Sequence, residues 1–392
     1  MRRRAARLVG GPALLALLCV TGCGGCARED EPYPVEYSFP TRQDPVVLQL
    51  PTEAPADLMA NGEMDDAIRR INQKGGKVRE PSAVPAPVRD ELHQFLGSTF
   101  GTPAAPTVGG DDEARALAAG LGLTDENLKA GARLFRDRCQ ECHGVAGDGR
   151  GPTSAWLTPR PRDYRQGAFK FTSTANHKPS RADLFRTLTN GLKTTPMPAF
   201  AMRSEEDRHR LIDYVMYLSL RGRTEFDVLK AVLQHGEDGL DGTVEDHAAA
   251  VLKSELKAWT LAESSEIPAT PPELPDGSPE LAESVRRGHA LFLDPKGAAC
   301  ATCHVRYGRE AKPQHDVWGT LIRPAELTEP KRKAGDDPAT LFRRVRGGIA
   351  PSGMPAAVGL TDAQTWDVVH FLRALPYPDR LPPDVKAKVY GE

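Results

Sequence analysis

Apolar residues recur at helical spacing in two pairs of segments, one pair in each half of the chain. The first segment follows Thr124, which stands at an N-cap position with flanking leucines placed as a hydrophobic staple. The second follows Ser204 and carries apolar residues three and four positions apart, which predicts a helix with one buried face. The later pair begins at Ser278 and at Thr361, where Gln364 completes a capping box.

The two halves of the chain repeat each other. Met354 follows Met197 by 157 positions (354 against 197), and the Leu-Phe-Arg run and the glycine before each methionine keep the same distance. The terminal helices of the halves align best at an offset of 154, which matches Phe371 with Tyr217. The sequence therefore predicts an internal duplication, with two domains of the same fold.

The N-terminal region predicts export and attachment to a membrane. Residues 1–22 predict a signal peptide, because three arginines precede an apolar run from Leu8 to Val20 that is too short for a membrane span. The run ends at Cys23 in a stretch that resembles the lipobox of bacterial lipoproteins, which predicts lipidation of Cys23. Cleavage at an ordinary signal-peptidase site is the alternative.

Residues 23–115 are rich in proline, glycine and charge, which predicts a lipid-anchored, largely irregular tether. An ordered arm packed against the rest of the chain is the alternative, since Val46 to Leu50 could pair or pack. Residues 225–278 predict an acidic helical spacer and a Pro-rich linker between the repeats, and a dimerisation or docking helix is the alternative. A tail covers residues 381–392.

Composition narrows the function mainly through the cysteines. The chain has 392 residues, enough for two or three domains, and its net charge of −2 indicates no particular partner and no nucleic acid. Three of the seven cysteines lie before residue 27. The other four form two C-x-x-C pairs, each followed directly by histidine, and these residues are Cys139, Cys142, His143, Cys300, Cys303 and His304.

A C-x-x-C-H run is the attachment signature of c-type haem. Two thiols one helical turn apart can add to the two vinyl groups on one porphyrin edge, and the next residue places an imidazole under the iron. Half of a zinc site, a dithiol redox motif or a disulfide would also use C-x-x-C, but none of them explains a histidine after both pairs. The sequence therefore predicts two covalently bound c-type haems as iron cofactors.

Each half resembles a class I cytochrome c domain. The resemblance rests on the G-x-x-L-F helix, C-x-x-C-H, a mid-domain proline, the Met-Pro loop and a terminal helix with an aromatic residue. It implies a mostly α-helical fold with cytochrome c domains at residues 116–224 and 279–380. It also implies that the two long helices of each domain cross at a glycine, Gly131 with Tyr217 and Gly288 with Phe371.

The resemblance implies His143 and His304 as the proximal iron ligands. Each imidazole would donate from its other ring nitrogen to a backbone carbonyl. Pro161 in the first domain and Pro324 in the second lie at similar places for that acceptor, while Pro152 and Pro159 compete with Pro161.

Met197 and Met354 are the predicted sixth ligands, because a thioether sulfur is a soft ligand and His/Met coordination raises the haem potential. Met202 is the fallback in the first domain, and a methionine that only fills the core is the alternative for either position. His177, His289 and His370 would allow bis-His ligation, but each occurs in only one half, which favours surface or core histidines.

An iron with both axial positions filled has no open site for substrate, so the sequence favours an electron-transfer protein over an enzyme. Redox proteins are the expected partners, on the periplasmic side, within a respiratory chain. The segment from Pro161 to Phe171 is similar to cytochrome subunits of respiratory complexes such as the quinol-oxidising alternative complex III. A di-haem peroxidase or a cytochrome subunit of a small-molecule dehydrogenase is the alternative. Basic residues before Met197 and Met354 predict a face that attracts acidic partners.

Overall fold

The computed structural model describes residues 33–52 and 64–391, so the predicted signal peptide and Cys23 lie outside the described residues. The described chain is mostly helical, as predicted, with short antiparallel strand pairs beside the helices. Within these ranges, no helix combines the length and the apolar character that crossing a membrane requires.

The described part of the chain before the first repeat forms an ordered arm, where the prediction was a tether with little core of its own. Its elements are β1 (Val46–Gln49), α1 (Met64–Arg69), β2 (Lys77–Arg79), α2 (Ala86–Phe100) and α3 (Asp112–Gly120). The strand β1 pairs with β2, and Leu92, Leu96 and Phe100 of α2 are buried in the core of the first repeat. The prolines and glycines that suggested a tether stand at helix starts and turns, such as Pro87 in the first turn of α2 and Gly101 just after it.

The first repeat is built from helices that share one core. They are α4 (Asp125–Arg138), α5 (Gln140–His143), α6 (Arg181–Asn190) and α7 (Glu205–His235). Thr124 and Ser204 cap α4 and α7 as predicted, because each side chain accepts a hydrogen bond from the backbone N–H three residues on. The two helices cross at Gly131, where a Cβ atom would lie 2.9 Å from Cβ of Tyr214.

The predicted partner of Gly131 was Tyr217, and that register was wrong by one helical turn. In the second repeat the equivalent glycine, Gly288, meets Phe371, so the offset of 157 extends to the terminal helices (371 against 214). Tyr217 faces the arm instead, and its hydroxyl donates to the carbonyl of Phe100 at 2.6 Å. The helix α7 is buried on several sides, so its apolar pattern did not define a single face.

The spacer continues α7 to His235 and then turns into α8 (Val244–Ala262). Ala248, Leu252 and Leu256 of α8 are fully buried against α7 and the arm. The apolar face of α8 is therefore covered by the chain itself, as predicted for a spacer that packs on one domain. The linker after it runs along the first repeat, where the Ile267 N–H donates to the Ser173 carbonyl at 2.8 Å.

The second repeat follows the same plan. Its elements are α9 (Pro279–Leu293), α10 (Cys300–Cys303), β3 (Gln314–His315), β4 (Leu321–Ile322), α11 (Pro338–Gly347) and α12 (Asp362–Ala374). Ser278 caps α9, and Thr361 with Gln364 forms the predicted capping box of α12. The predicted tail contains one more helix, α13 (Pro383–Tyr390), whose Val385 and Val389 are buried against the second repeat.

Candidate cofactor sites

Both C-x-x-C-H runs form a single helical turn, which follows α4 directly in the first repeat and follows α9 after a turn at residues 294–299 in the second. His143 donates its backbone N–H to the carbonyl of Cys139 at 2.8 Å, and His304 does the same to Cys300 at 2.9 Å. None of these four cysteines is in a disulfide. The turn places the two sulfurs of each pair on one side and the histidine directly after them, as attachment to a porphyrin edge requires.

In both histidines the Nδ1 atom is hydrogen-bonded to a backbone carbonyl oxygen. His143 Nδ1 lies 3.1 Å from the carbonyl oxygen of Arg162, and His304 Nδ1 lies 2.9 Å from that of Ala325. The predicted acceptors were Pro161 and Pro324, so in each domain the acceptor is the residue immediately after the predicted proline. A carbonyl can only accept, so Nδ1 carries the proton and Nε2 keeps a lone pair for a metal.

Burial favours the neutral form of both imidazoles. It lowers the pKa of His143 to about 4, against the smaller opposing effect of the Arg162 carbonyl. Burial also lowers the pKa of His304, which is half-buried. Neutral imidazole is the form that binds a metal, so these environments fit ligand histidines.

The two predicted methionines are presented by equivalent loops. The loop N–H after the turning glycine donates to the methionine carbonyl, from Leu192 to Met197 at 3.2 Å and from Ile349 to Met354 at 2.9 Å. Three residues beyond each methionine, the N–H donates back to the helix before the loop, at 2.8 Å in the first domain and 3.0 Å in the second. Both methionines are half-buried, and Met197 packs against the core of its domain.

Glycine is required where these loops leave the helix. Gly191 has φ 64° and ψ −169°, and Gly348 has φ 72° and ψ −171°, a region that other residues avoid. A Cβ atom would lie 2.7 Å from the Met197 carbonyl oxygen in the first loop and 2.6 Å from that of Met354 in the second. The paired glycines therefore let the backbone of each methionine approach the end of the helix.

The alternative ligands have other surroundings. Met202 is 99% exposed, whereas Met197 packs against the core, which favours Met197 over the fallback ligand. His289 Nε2 lies 2.9 Å from the Tyr307 hydroxyl, and His370 Nδ1 lies 2.7 Å from the Ser284 hydroxyl, and both contacts are buried. His177 is exposed. These contacts agree with the interpretation of His289 and His370 as core residues and of His177 as a surface residue.

Sequence reasoning did not single out Tyr164, which stacks on His143 with ring centroids 4.9 Å apart. Its hydroxyl lies 3.3 Å from His143 Nε2, the nitrogen expected to face a metal. Leu327 follows Ala325 at the spacing at which Tyr164 follows Arg162, so the second site lacks this hydroxyl. The sequence shows a tyrosine directly after the Pro-Arg-Asp run, but only the fold shows that this tyrosine contacts His143.

Most of the basic residues before Met197 are paired within the chain, so the predicted attractive face was wrong for them. Arg165 binds Asp44 of the arm and Asp163, at 2.8 and 2.9 Å. The other three paired cations join the loop to the second repeat, the spacer and α7, through Lys170–Asp316, Lys178–Glu255 and Arg181–Asp213. These cations hold the parts of the molecule together rather than facing solvent.

Cations from both repeats line a cleft of about 340 Å³ between them. Its lining includes Arg186, Lys193, Lys333 and Arg344, whereas Asp337 is a carboxylate there. Burial lowers the pKa of Arg344 to about 10, and burial followed by the nearby Arg162 lowers the pKa of Lys333. The Arg344 guanidinium donates to the carbonyls of Ala334 and Gly335. Buried positive charge of this kind fits a cofactor that carries carboxylates, as haem does through its propionates.

Comparison with known proteins gives a match in each repeat. The family model described as cytochrome c oxidase, cbb3-type, subunit III matches residues 126–215, and the cytochrome c model matches residues 285–376. No curated protein matches the chain significantly. Among solved structures, a chain of the Kuenenia stuttgartiensis reducing HAO-like protein complex is similar, with 21% identity and a TM-score of 0.45, covering 63% of this chain and 96% of that one.

Proposed function

Since the chain is a di-haem c-type cytochrome with one cytochrome c domain in each half, we propose that it carries single electrons between redox proteins on the periplasmic side. Two cytochrome c domains imply two covalently bound c-type haems and a role in electron transfer. The proposal adds the residues that bind the iron, the cellular location of the protein and the class of its redox partners.

The observation that carries the proposal is the repetition of one ligand arrangement in both domains. Each has a neutral histidine with its Nδ1 fixed on a carbonyl, and each has a methionine loop closed by the same hydrogen bonds 157 positions apart. We assign thioether attachment to the four cysteines of the two C-x-x-C-H runs. His143 with Met197 would bind the iron of the first haem, and His304 with Met354 would bind that of the second.

The haem supplies a one-electron couple, and the chain sets its properties. The Arg162 and Ala325 carbonyls hold the imidazoles in the tautomer that leaves Nε2 free and increase their basicity. Met197 and Met354 would each supply a soft thioether ligand, which would favour the reduced state and raise the potential. If a histidine and a methionine both bind the iron in each domain, no coordination position would remain for a substrate, which favours a carrier over a peroxidase.

The cellular setting is proposed from the N-terminal sequence and from one comparison. The predicted signal peptide and the lipidation of Cys23 would hold the mature protein on the periplasmic face of a membrane, where c-type haems are attached in bacteria. The model that matches the first domain is described as a subunit of a cbb3-type oxidase, which supports a place in a respiratory chain.

A measurement of bound haem per chain, combined with carbon monoxide and peroxide binding to the reduced and oxidised protein, tests the carrier against the enzyme. The carrier has two haems per chain, both low-spin, and neither binds either ligand readily. A haem that is high-spin and binds peroxide would contradict the carrier and support the peroxidase alternative.

A further inference from the structure

The strands β3 and β4 form a small hairpin whose role the two ligand sets do not explain. Asp316 fixes its turn, because Oδ1 accepts hydrogen bonds from the Trp318 N–H at 3.2 Å and from the Thr320 N–H at 3.1 Å. Gly319 completes the turn at φ 78°. Trp318 is only 6% exposed, although it belongs to a hairpin with two-residue strands. Its indole is buried because it reaches the other repeat.

One end of the hairpin meets the loop that holds His143. The Trp318 Nε1–H donates to the carbonyl of Asp163 at 3.2 Å, and the Arg162 guanidinium lies 3.8 Å from the centre of the indole ring. The carbonyl of that same Arg162 accepts the hydrogen bond from His143 Nδ1. Lys170 adds an ion pair to Asp316 at 2.9 Å. Trp318 thus contacts the two residues next to the proximal histidine's hydrogen bond.

The other end of the hairpin meets the turn that presents Met354. The Val317 N–H donates to the Pro351 carbonyl at 3.0 Å, and the Gln314 side chain donates to the Ser352 carbonyl at 2.7 Å. This turn is closed by the backbone bridge between Ile349 and Met354. The hairpin therefore touches the proximal side of the first domain and the methionine side of the second.

We propose that Trp318 couples the two haem sites and sets the rate at which they exchange electrons. The route runs from His143 through the Arg162 and Asp163 backbone to the indole, and then through Val317 and Pro351 to the Met354 loop. Every link in it is a covalent bond or a hydrogen bond, through which electronic coupling falls off less steeply than across an open gap. The exchange moves one electron, so one haem is oxidised as the other is reduced, and no proton or other reactant is needed.

The inference rests on the proposed function, because it needs two electron-carrying haems in one chain. Within that frame, Trp318 is a positioning residue that also restrains both ligand loops. Chains of packed side chains and hydrogen bonds can carry energetic coupling from one site to another. A purely structural tryptophan would stabilise the interface without changing the exchange rate.

The test compares W318F with wild type and with W366F. Trp366 is the control, because it is 7% exposed like Trp318 and stacks on Phe342 within the second domain, with no contact to the β3–β4 hairpin among its ring neighbours. The fully oxidised holoprotein is reduced rapidly with less than one electron per chain. Freeze-quenched electron paramagnetic resonance then follows the redistribution of that electron, and redox titration gives both midpoint potentials.

We expect W318F to slow the redistribution severalfold while both midpoint potentials and the haem content stay at wild-type values, and W366F to leave the rate unchanged. Hydrogen exchange gives a second readout, in which W318F speeds amide exchange at Val317 and in the 349–354 turn. Two further variants weaken one end each, R162M and Q314A, and both should slow the redistribution, so that poor folding of W318F does not remove the test.

An unchanged redistribution rate in W318F, R162M and Q314A would overturn the inference and leave the carrier function in place. A wild-type chain that holds two reducible haems but shows no redistribution would have the same meaning. A wild-type chain that holds one haem, or haems that bind peroxide, would overturn the proposed function and the inference with it.

Discussion

The glycine that begins the second methionine loop gives a sharp test of how the structure positions Met354. Gly348 lies at φ 72° and ψ −171°, where a side chain costs about 1–3 kcal/mol in backbone strain. A Cβ atom there would also lie 2.6 Å from the Met354 carbonyl oxygen and 2.7 Å from the Ala356 nitrogen. In G348A both the strain and the close contacts disappear when the loop moves away from the helix. We therefore expect Met354 to bind the haem iron about 5- to 150-fold more weakly.

Visible spectra and a redox titration of the holoprotein measure the effect. G348A should lose the methionine–iron absorption of one haem and lower that haem's midpoint potential, since methionine ligation raises it. The control is G359A in the same region, because no atom lies within 4 Å of a Cβ at Gly359. A folded G348A protein with wild-type spectra and potentials would refute the idea that Gly348 holds the loop in place.

Two further variants test the attachment of the arm. Burial alone would raise the pKa of Asp44, but the Arg165 and Arg42 guanidiniums outweigh it and hold that pKa well below its ordinary value. The pairing therefore stabilises the fold above the unfolded pKa of about 4 and is lost as the pH falls below it. At neutral pH, D44N should lose about 3 kcal/mol in denaturant unfolding and show a flatter loss of stability in acid. Y217F removes the Tyr217 hydrogen bond to the buried Phe100 carbonyl, which keeps the Thr107 N–H as a donor at 3.2 Å, and should cost about 1 kcal/mol by the same assay.

The D44N and Y217F predictions each have an outcome that would contradict them. A D44N protein whose stability declines in acid as steeply as wild type would show that Asp44 is not the group that titrates. For Y217F, the comparison is Y37F, in which the altered tyrosine is 40% exposed. Equal stability of Y217F and Y37F would mean that the hydrogen bond from Tyr217 to the Phe100 carbonyl contributes nothing to the stability of the fold.

Features that depend on neighbouring residues were predictable from the sequence. The N-caps Thr124, Ser204, Ser278 and Thr361 all accept the expected hydrogen bonds, because capping is decided within one helical turn. The C-x-x-C-H turns and the methionine loops also depend on neighbouring residues, and each motif occurs in both repeats, which made it easier to recognise.

Features that depend on residues far apart in the chain could not be predicted from the sequence. The register of α7 was misjudged because the arm and α8 bury it on additional sides, which adds apolar positions such as Tyr217. Asp44 and Arg165 are 121 positions apart, and no local pattern pairs them. Trp318 went unnoticed because strands of two residues carry no periodicity, so only its contacts with Arg162 and Asp163 reveal the hairpin's place between the domains.

The central claim is that each domain holds its haem between one histidine and one methionine. An anaerobic redox titration followed by visible spectra of wild type, M197L, M354L and the exposed control M202L tests it most directly. We expect two high-potential haems in wild type and M202L, and the loss of one methionine–iron band and one high potential in each of the other two variants. Wild-type spectra and potentials in M197L or M354L would contradict the claim for that domain.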